Sequence, residues 1–266
     1  NYQFICRTNL ENDQDTANNV LREVRTVATV PTVTSATATY CDADPLSLIS
    51  RDSGTAFWYD SPTEAKPFAI GNFASSSLKV PNGIFYVALN DFTGNVGPAS
   101  KSLHGGGSYA GNFGPAPLIK TEVPLILESA RLYTATSGRL IFTVMGLDDR
   151  FVSSTTIDVT ASRNPNVPNT GAPAGQYADD PSDEGRVYPL NLSIPQAGNY
   201  KITIEYENGA TIYRSNVGVT GFPYSIPGVI ALRGALFAQN NTVDTLTNAY
   251  YYLYDLKVKS FGCPSE

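Results

Sequence analysis

Short runs in which apolar and polar residues alternate dominate the chain. Lys201 to Tyr206 is the cleanest. Ile202, Ile204 and Tyr206 fall on one face and Thr203 and Glu205 on the other, the period of two that a half-buried strand needs. Tyr2 to Thr8, Ile84 to Leu89 and Arg139 to Met145 read the same way, each rich in β-branched or aromatic residues. Asn208 and Gly209 follow the strand ending at Glu207, and Thr211 to Arg214 comes next. Asn-Gly supplies the two positive φ angles of a type I′ turn, so a two-residue hairpin is predicted here. Helical periodicity is confined to Asp15 through Arg25, where adjacent Asn18 and Asn19 weaken it. Many short strands without intervening helices predict an all-β fold of β-sandwiches.

Turn-forming residues divide this pattern into three parts. Residues 1–28 hold one strand and a polar tail, too little to bury a face alone. Residues 29–93 form a compact unit opened by Pro31 and closed by the strand ending at Leu89. A Gly-rich joint around His104 and Gly105 to Gly107 leads into the largest unit, 94–266. One long segment interrupts that unit: 162–185 carries four prolines and no apolar periodicity, which marks a functional or mobile loop.

Composition narrows the function classes. Of 266 residues 42% are hydrophobic, enough for a real core, while only 16% are charged, against ~25% in an average globular domain. The formal net charge is −6 and the basic residues are scattered singly, so there is no footprint for nucleic acid. No apolar run approaches the ~18 residues that would span a membrane. A single His cannot build a His-rich zinc site, and His104 has no nucleophile elbow beside it. No pair of acids is singled out by spacing as in a glycosidase. The chain therefore reads as non-catalytic. Asn1 to Arg7 lacks the basic and apolar regions of a signal peptide, and position 1 reads as the interior of a longer protein.

Two stretches carry a resemblance. The first runs through Tyr40 and Cys41, Leu46 and Leu48, Gly54 to Ser61 with Trp58, Ile70 to Asn72, Leu78 to Val80 and Phe85 to Val87. It resembles an immunoglobulin-like module strung along surface proteins of the Bacteroidetes type. The resemblance implies that Trp58 lies in the sandwich core. It also implies a second cysteine after the last strand, and residues 88–95 hold none, so Cys41 is expected to make no disulfide within the module. The second stretch includes Val96 to Pro98, Gly105 to Tyr109, Pro124 to Tyr133, Tyr213 to Val219, Phe222 to Ile226 and Tyr250 to Val258. It is similar to a jelly-roll-like β-sandwich near the C-terminus of large secreted proteins. Residues 1–24 look like the closing strand of a truncated upstream β domain. Proteins built this way leave the cell by type IX secretion. The implied setting is thus extracellular or on the outer cell surface, with the type IX secretion machinery and surface glycans as partners.

Three groups of residues are candidates for chemistry. Asp179, Asp180, Asp183 and Glu184 place four carboxylates within six residues, a composition that suits Ca²⁺ and equally a solvated acidic loop tip. Asp255 joins them because sugar-binding jelly rolls often hold a structural calcium against the last strand. Tyr213, Arg214, Asn216 and Tyr224 offer stacking faces and planar donors of the kind that bind sugars, or else pack inward. Thr16 and Thr245 each follow an Asp and precede a small or aliphatic residue, the O-glycosylation motif of such bacteria, in segments that read as polar loops. The expected role is adhesion, glycan contact or spacing. The alternative is the accessory binding region of a secreted enzyme whose catalytic domain lies upstream.

Overall fold

The computed structural model describes residues 2–7, 20–25, 30–39, 45–64, 66–77, 83–239 and 242–265. Among them every strand pairing is antiparallel. The described residues contain no α-helix, only one 3₁₀ turn at Lys101–Leu103. The protein is all-β.

At the N-terminal end β1 (Tyr2–Arg7) pairs with β2 (Val20–Arg25). The helical reading of Asp15 to Arg25 therefore fails over its second half. Val20, Leu21 and Val24 among polar residues suit a paired strand as well as a helical turn, and the pairing with β1 decides between them.

Residues 30–89 build two three-stranded sheets. One has the order β3 (Thr37–Thr39), β4 (Leu46–Ile49), β7 (Phe73–Ser76). The other has the order β6 (Ala69–Ile70), β5 (Ala56–Tyr59), β8 (Tyr86–Leu89). Leu46 and Leu48 are buried with Ser47 exposed between them, the alternation that puts one face of a strand on a core. They pack with Ala56, Trp58 and Leu89. The Trp58 indole donates to the Gly71 carbonyl at 2.9 Å, satisfying the one polar atom that its burial carries inward.

Strands from residue 93 onward form three further sheets. One has the order β16 (Arg186–Ile194), β12 (Leu125–Leu132), β23 (Tyr254–Ser260), β9 (Thr93–Val96). A second has the order β15 (Tyr177–Ala178), β10 (Gly106–Ala110), β18 (Ile212–Val217), β22 (Tyr250–Tyr251). The largest runs β14 (Phe151–Val159), β13 (Gly138–Gly146), β17 (Gly198–Glu207), β11 (Ala116–Thr121), β20 (Ile230–Gln239), β19 (Tyr224–Ile226), with β21 (Thr242–Leu246) also on β20. Leu127, Leu192 and Val258 from the first, Tyr109 and Ile212 from the second and Phe142, Val144 and Ile202 from the third share one apolar core.

The hairpin predicted at Asn208-Gly209 is overturned in part. Both residues have positive φ, 53° and 76°, and the Ala210 N–H donates back to Glu207, so the turn is present. Its two arms do not pair: β17 lies between β13 and β11, while β18 joins β10 and β22. At this turn the chain passes from one sheet to another, because Ile212 and Tyr213 are buried and Tyr213 N–H donates to Tyr133.

The C-terminal tail ties the two groups of sheets together. Ser265 N–H donates to the Leu89 carbonyl at 2.8 Å, and Leu89 N–H donates to Ser265 Oγ at 3.0 Å. Asn90 Nδ2 donates to the Cys263 carbonyl at 3.2 Å. Phe57 on β5 stacks on Phe92 with ring centroids 5.2 Å apart and is counted in the larger core. Cys41 and Thr16 lie outside the described residues, as does the side chain of Cys6.

Candidate functional site

The densest polar arrangement in the described protein lies where the 162–185 segment meets β10 and β18. Gly107 lets these strands approach: a Cβ there would stand 1.8 Å from the Arg214 carbonyl oxygen, so no other residue fits. The Gly-rich joint is thus a requirement of close backbone packing, and it delivers Lys101 to the interior just before β10.

Lys101 is 4% exposed. Its ammonium donates to Asp179 Oδ1 at 2.6 Å, to the Tyr109 hydroxyl at 3.1 Å and to the Asp180 carbonyl. Three tyrosine rings surround it, with centroids 4.6 Å (Tyr213), 5.4 Å (Tyr109) and 5.5 Å (Tyr133) from Nζ. A buried cation needs such partners, three acceptors for its three N–H bonds and electron-rich ring faces around them. The Tyr109 hydroxyl in turn donates a hydrogen bond to Asp183 Oδ2 at 2.8 Å. The hydroxyls of Tyr109 and Tyr213 are pushed well above the usual tyrosine range, first by burial and then by the charges of Asp183 and Asp179 respectively. Tyr213's hydroxyl is buried and has no hydrogen-bond partner.

Two of the four carboxylates in the acidic segment, Asp180 and Asp183, are buried rather than solvated. Asp180, 2% exposed, accepts from Asn164 N–H at 2.9 Å and from Ser182 N–H and Oγ at 3.0 and 2.6 Å. Burial opposes its ionisation, but these hydrogen bonds outweigh burial and hold its carboxyl below the usual range. Asp183, 6% exposed, accepts from Tyr109, from Ser162 Oγ at 3.1 Å and from Gly185 N–H at 2.8 Å. Asp179 is the partner of Lys101, and Glu184 is exposed. Asp255 accepts instead from Asn95 Nδ2 at 2.6 Å. Asp179, Asp180, Asp183 and Asp255 are committed to different donors, and among the described residues no three His, Cys, Asp or Glu side chains converge to hold a metal ion. The segment is also pinned: Arg163, 6% exposed, donates to the carbonyls of Ala178 and Val167 at 2.8 and 2.9 Å.

The proposed sugar platform divides similarly. Tyr213 faces the core. The Arg214 guanidinium sits 4.4 Å over the Phe113 ring. Tyr224 is half-buried against Phe222 and Tyr250, centroids 4.9 and 5.6 Å away, with its hydroxyl donating to the Thr220 carbonyl. Asn216 alone of the four is exposed. It lines an open groove of about 350 Å³ with Ser108, Thr170, Ala172 and Asp179. His104 is half-buried, and burial lowers its proton affinity. Thr245 lies in β21, paired with Leu236, so its segment is a strand and not the loop its polar neighbours suggested; the side chain is exposed.

Lys101, Tyr109 and Tyr133 are the residues that sequence reasoning missed. A lone Lys before a glycine run carries no periodicity, and only the excess of tyrosine, 16 in all, hinted at buried polar rings. Comparison with protein-family models, curated proteins and solved structures finds no match. Among the described residues no helix is long and apolar enough to cross a membrane.

Proposed function

We propose that this chain is a non-catalytic part of a large secreted or cell-surface protein, exported by type IX secretion, in which the Ig-like unit and the jelly-roll-like sandwich act as a stiff spacer in adhesion. The joint carries this reading. The tail at 263–265 hydrogen-bonds Leu89 and Asn90, Phe57 stacks on Phe92, and β9 begins only four residues after β8 ends. A linkage with hydrogen bonds on both sides resists bending, which suits a rod that holds something away from a surface. The sequence resemblance and the weakly charged, polar surface support an extracellular setting. An antibody to this chain should label intact cells of the native host, and the label should vanish when type IX export is disabled. Cells that stay unlabelled until lysed would refute a surface location.

A second reading, glycan contact by an accessory region of a secreted enzyme, is favoured by the polar groove at Asn216. A glycan array tests it. Binding that Asn216→Ala abolishes supports contact there, whereas binding unchanged by that substitution and lost with Tyr224→Ala would move the site to the aromatic cluster.

A further inference from the structure

Lys101 and Asp179 are separated by 78 positions in the chain, yet the structure sets the ammonium nitrogen of one 2.6 Å from a carboxylate oxygen of the other. Ion pairs on protein surfaces are exchangeable and hydrated. This one is different in three respects. Lys101 is 4% exposed, its head is enclosed by the rings of Tyr109, Tyr133 and Tyr213, and each partner has a further polar group aimed at it.

The geometry points to an intramolecular isopeptide bond between Lys101 Nζ and Asp179 Cγ. A nitrogen hydrogen-bonded to one carboxylate oxygen lies beside the carbon carrying that oxygen, and reactive pairs are held at ~3–3.5 Å. In water two such groups would not condense. Held together by a folded protein they are at effective concentrations of ~10⁵–10⁸ M, because the fold has already fixed their relative position.

The step balances without any co-reactant. The Nζ–Cγ bond forms, one Cγ–O bond breaks, and two ammonium protons leave with that oxygen as water. The surroundings supply a route for the protons. The Nζ–H on Asp179 Oδ1 at 2.6 Å carries one proton directly to the departing oxygen. The Tyr109 hydroxyl accepts from Nζ at 3.1 Å and donates to Asp183 Oδ2 at 2.8 Å, so the second is taken up by Asp183 through Tyr109 and given back to the departing hydroxide as water is released. Asp183 is itself 6% exposed, and acid–base groups in such water-poor sites act without competition from solvent. Tyr213 completes the arrangement. It is 1% exposed, its hydroxyl has no hydrogen-bond partner, and it lies close enough to Asp179 to feel that charge. An unpartnered buried donor costs stability unless it is used. Here it is placed to receive the negative charge that develops on the second Asp179 oxygen as nitrogen adds. The water formed has an exit, because Asp179 is 27% exposed and lines the open groove beside Asn216. The product ties the 162–185 segment covalently to the turn before β10.

Mass spectrometry of the folded chain, incubated until its mass is constant and then reduced, is the test. The expected mass is about 18 Da below that of the polypeptide, one water lost. Trypsin should then leave Lys101 uncut and release one branched peptide joining residues 80–120 to 164–186. The Asp179→Ala variant should show neither the deficit nor the branched peptide. An unmodified mass with cleavage after Lys101 overturns the proposal. So does a water deficit carried by a linear peptide, as a succinimide would give, or a deficit that persists in Asp179→Ala. The measurement is independent of where the protein resides in its host, so its failure and that of the surface reading are separable.

Discussion

Asp52 shows how a single side chain sets a local acid sensitivity. Its carboxylate accepts from Thr34 Oγ1 at 2.6 Å, from Thr34 N–H at 2.9 Å and from Ser35 N–H at 3.0 Å. The Thr34 hydroxyl and amide, with Ser35, bring the group from its ordinary 3.8 down to about 2, against a smaller opposing effect of burial. A carboxyl whose folded value is depressed stabilises the fold above its unfolded value and loses that contribution as pH falls through the folded one. The first sandwich should therefore lose stability between pH 3.8 and about 2. Carboxyl-carbon NMR should find Asp52 titrating near the low value, and Thr34→Val should move it back toward 3.8. A titration near 3.8 in the unaltered protein would remove the basis for this. At the residue scale Trp58 in the core was legible through the resemblance of its segment to an immunoglobulin-like core strand and not through alternation, since Ala56, Phe57 and Trp58 are all buried. The fate of Asp180 and Asp183 was not. A run of acids looks solvated, and only the positions of Tyr109, Ser162 and the Asn164 and Ser182 amides make burying them tolerable.

The element that departs most from its sequence pattern is the 162–185 segment. Its prolines and lack of periodicity suggested a functional or mobile loop, and Arg163, Asp180 and Asp183 make it a well-bonded strap over β10 and β18. Asp180→Ala removes the charged acceptor of the Asn164 and Ser182 amides, and hydrogen bonds to a charged group contribute ~1.5–3 kcal/mol. Cleavage within 164–182 by a non-specific protease should then accelerate roughly tenfold or more, as cleavage follows the population of the opened segment. Equal cleavage rates in the two proteins would mean that the carboxylate does not hold the strap. Strands with clean alternation were legible as strands: Lys201 to Tyr206 lies within β17 and Arg139 to Met145 within β13. Their partners were not, because alternation fixes which face is apolar and says nothing about the neighbouring strand.

Across the whole molecule the joint between the two groups of sheets decides cooperativity. Phe57 belongs to β5 by sequence and is fully buried at the junction against Phe92. Truncating a buried Phe costs ~3–5 kcal/mol, and here the loss falls on the contact that couples the units. The unaltered chain should melt in one calorimetric transition, and Phe57→Ala should split it into two with the lower one assigned to residues 30–89. A single unsplit transition in the variant would place the coupling elsewhere, in the tail bonds to Leu89 and Asn90.

What the sequence determined by itself is the all-β character, the alternating faces of the longest strands and the tight Asn208-Gly209 turn. These are local consequences of residue type and spacing, and each can be read within about ten positions. Tertiary structure alone decided that β17 and β18 go to different sheets, that a scattered Lys becomes the centre of a tyrosine cage, and that two carboxylates of an acidic run are buried. The reason is physical. Whether a charge can be buried depends on donors and rings that arrive from distant parts of the chain, Lys101 from one side and Asp179 from 78 residues away, and no local pattern records that meeting.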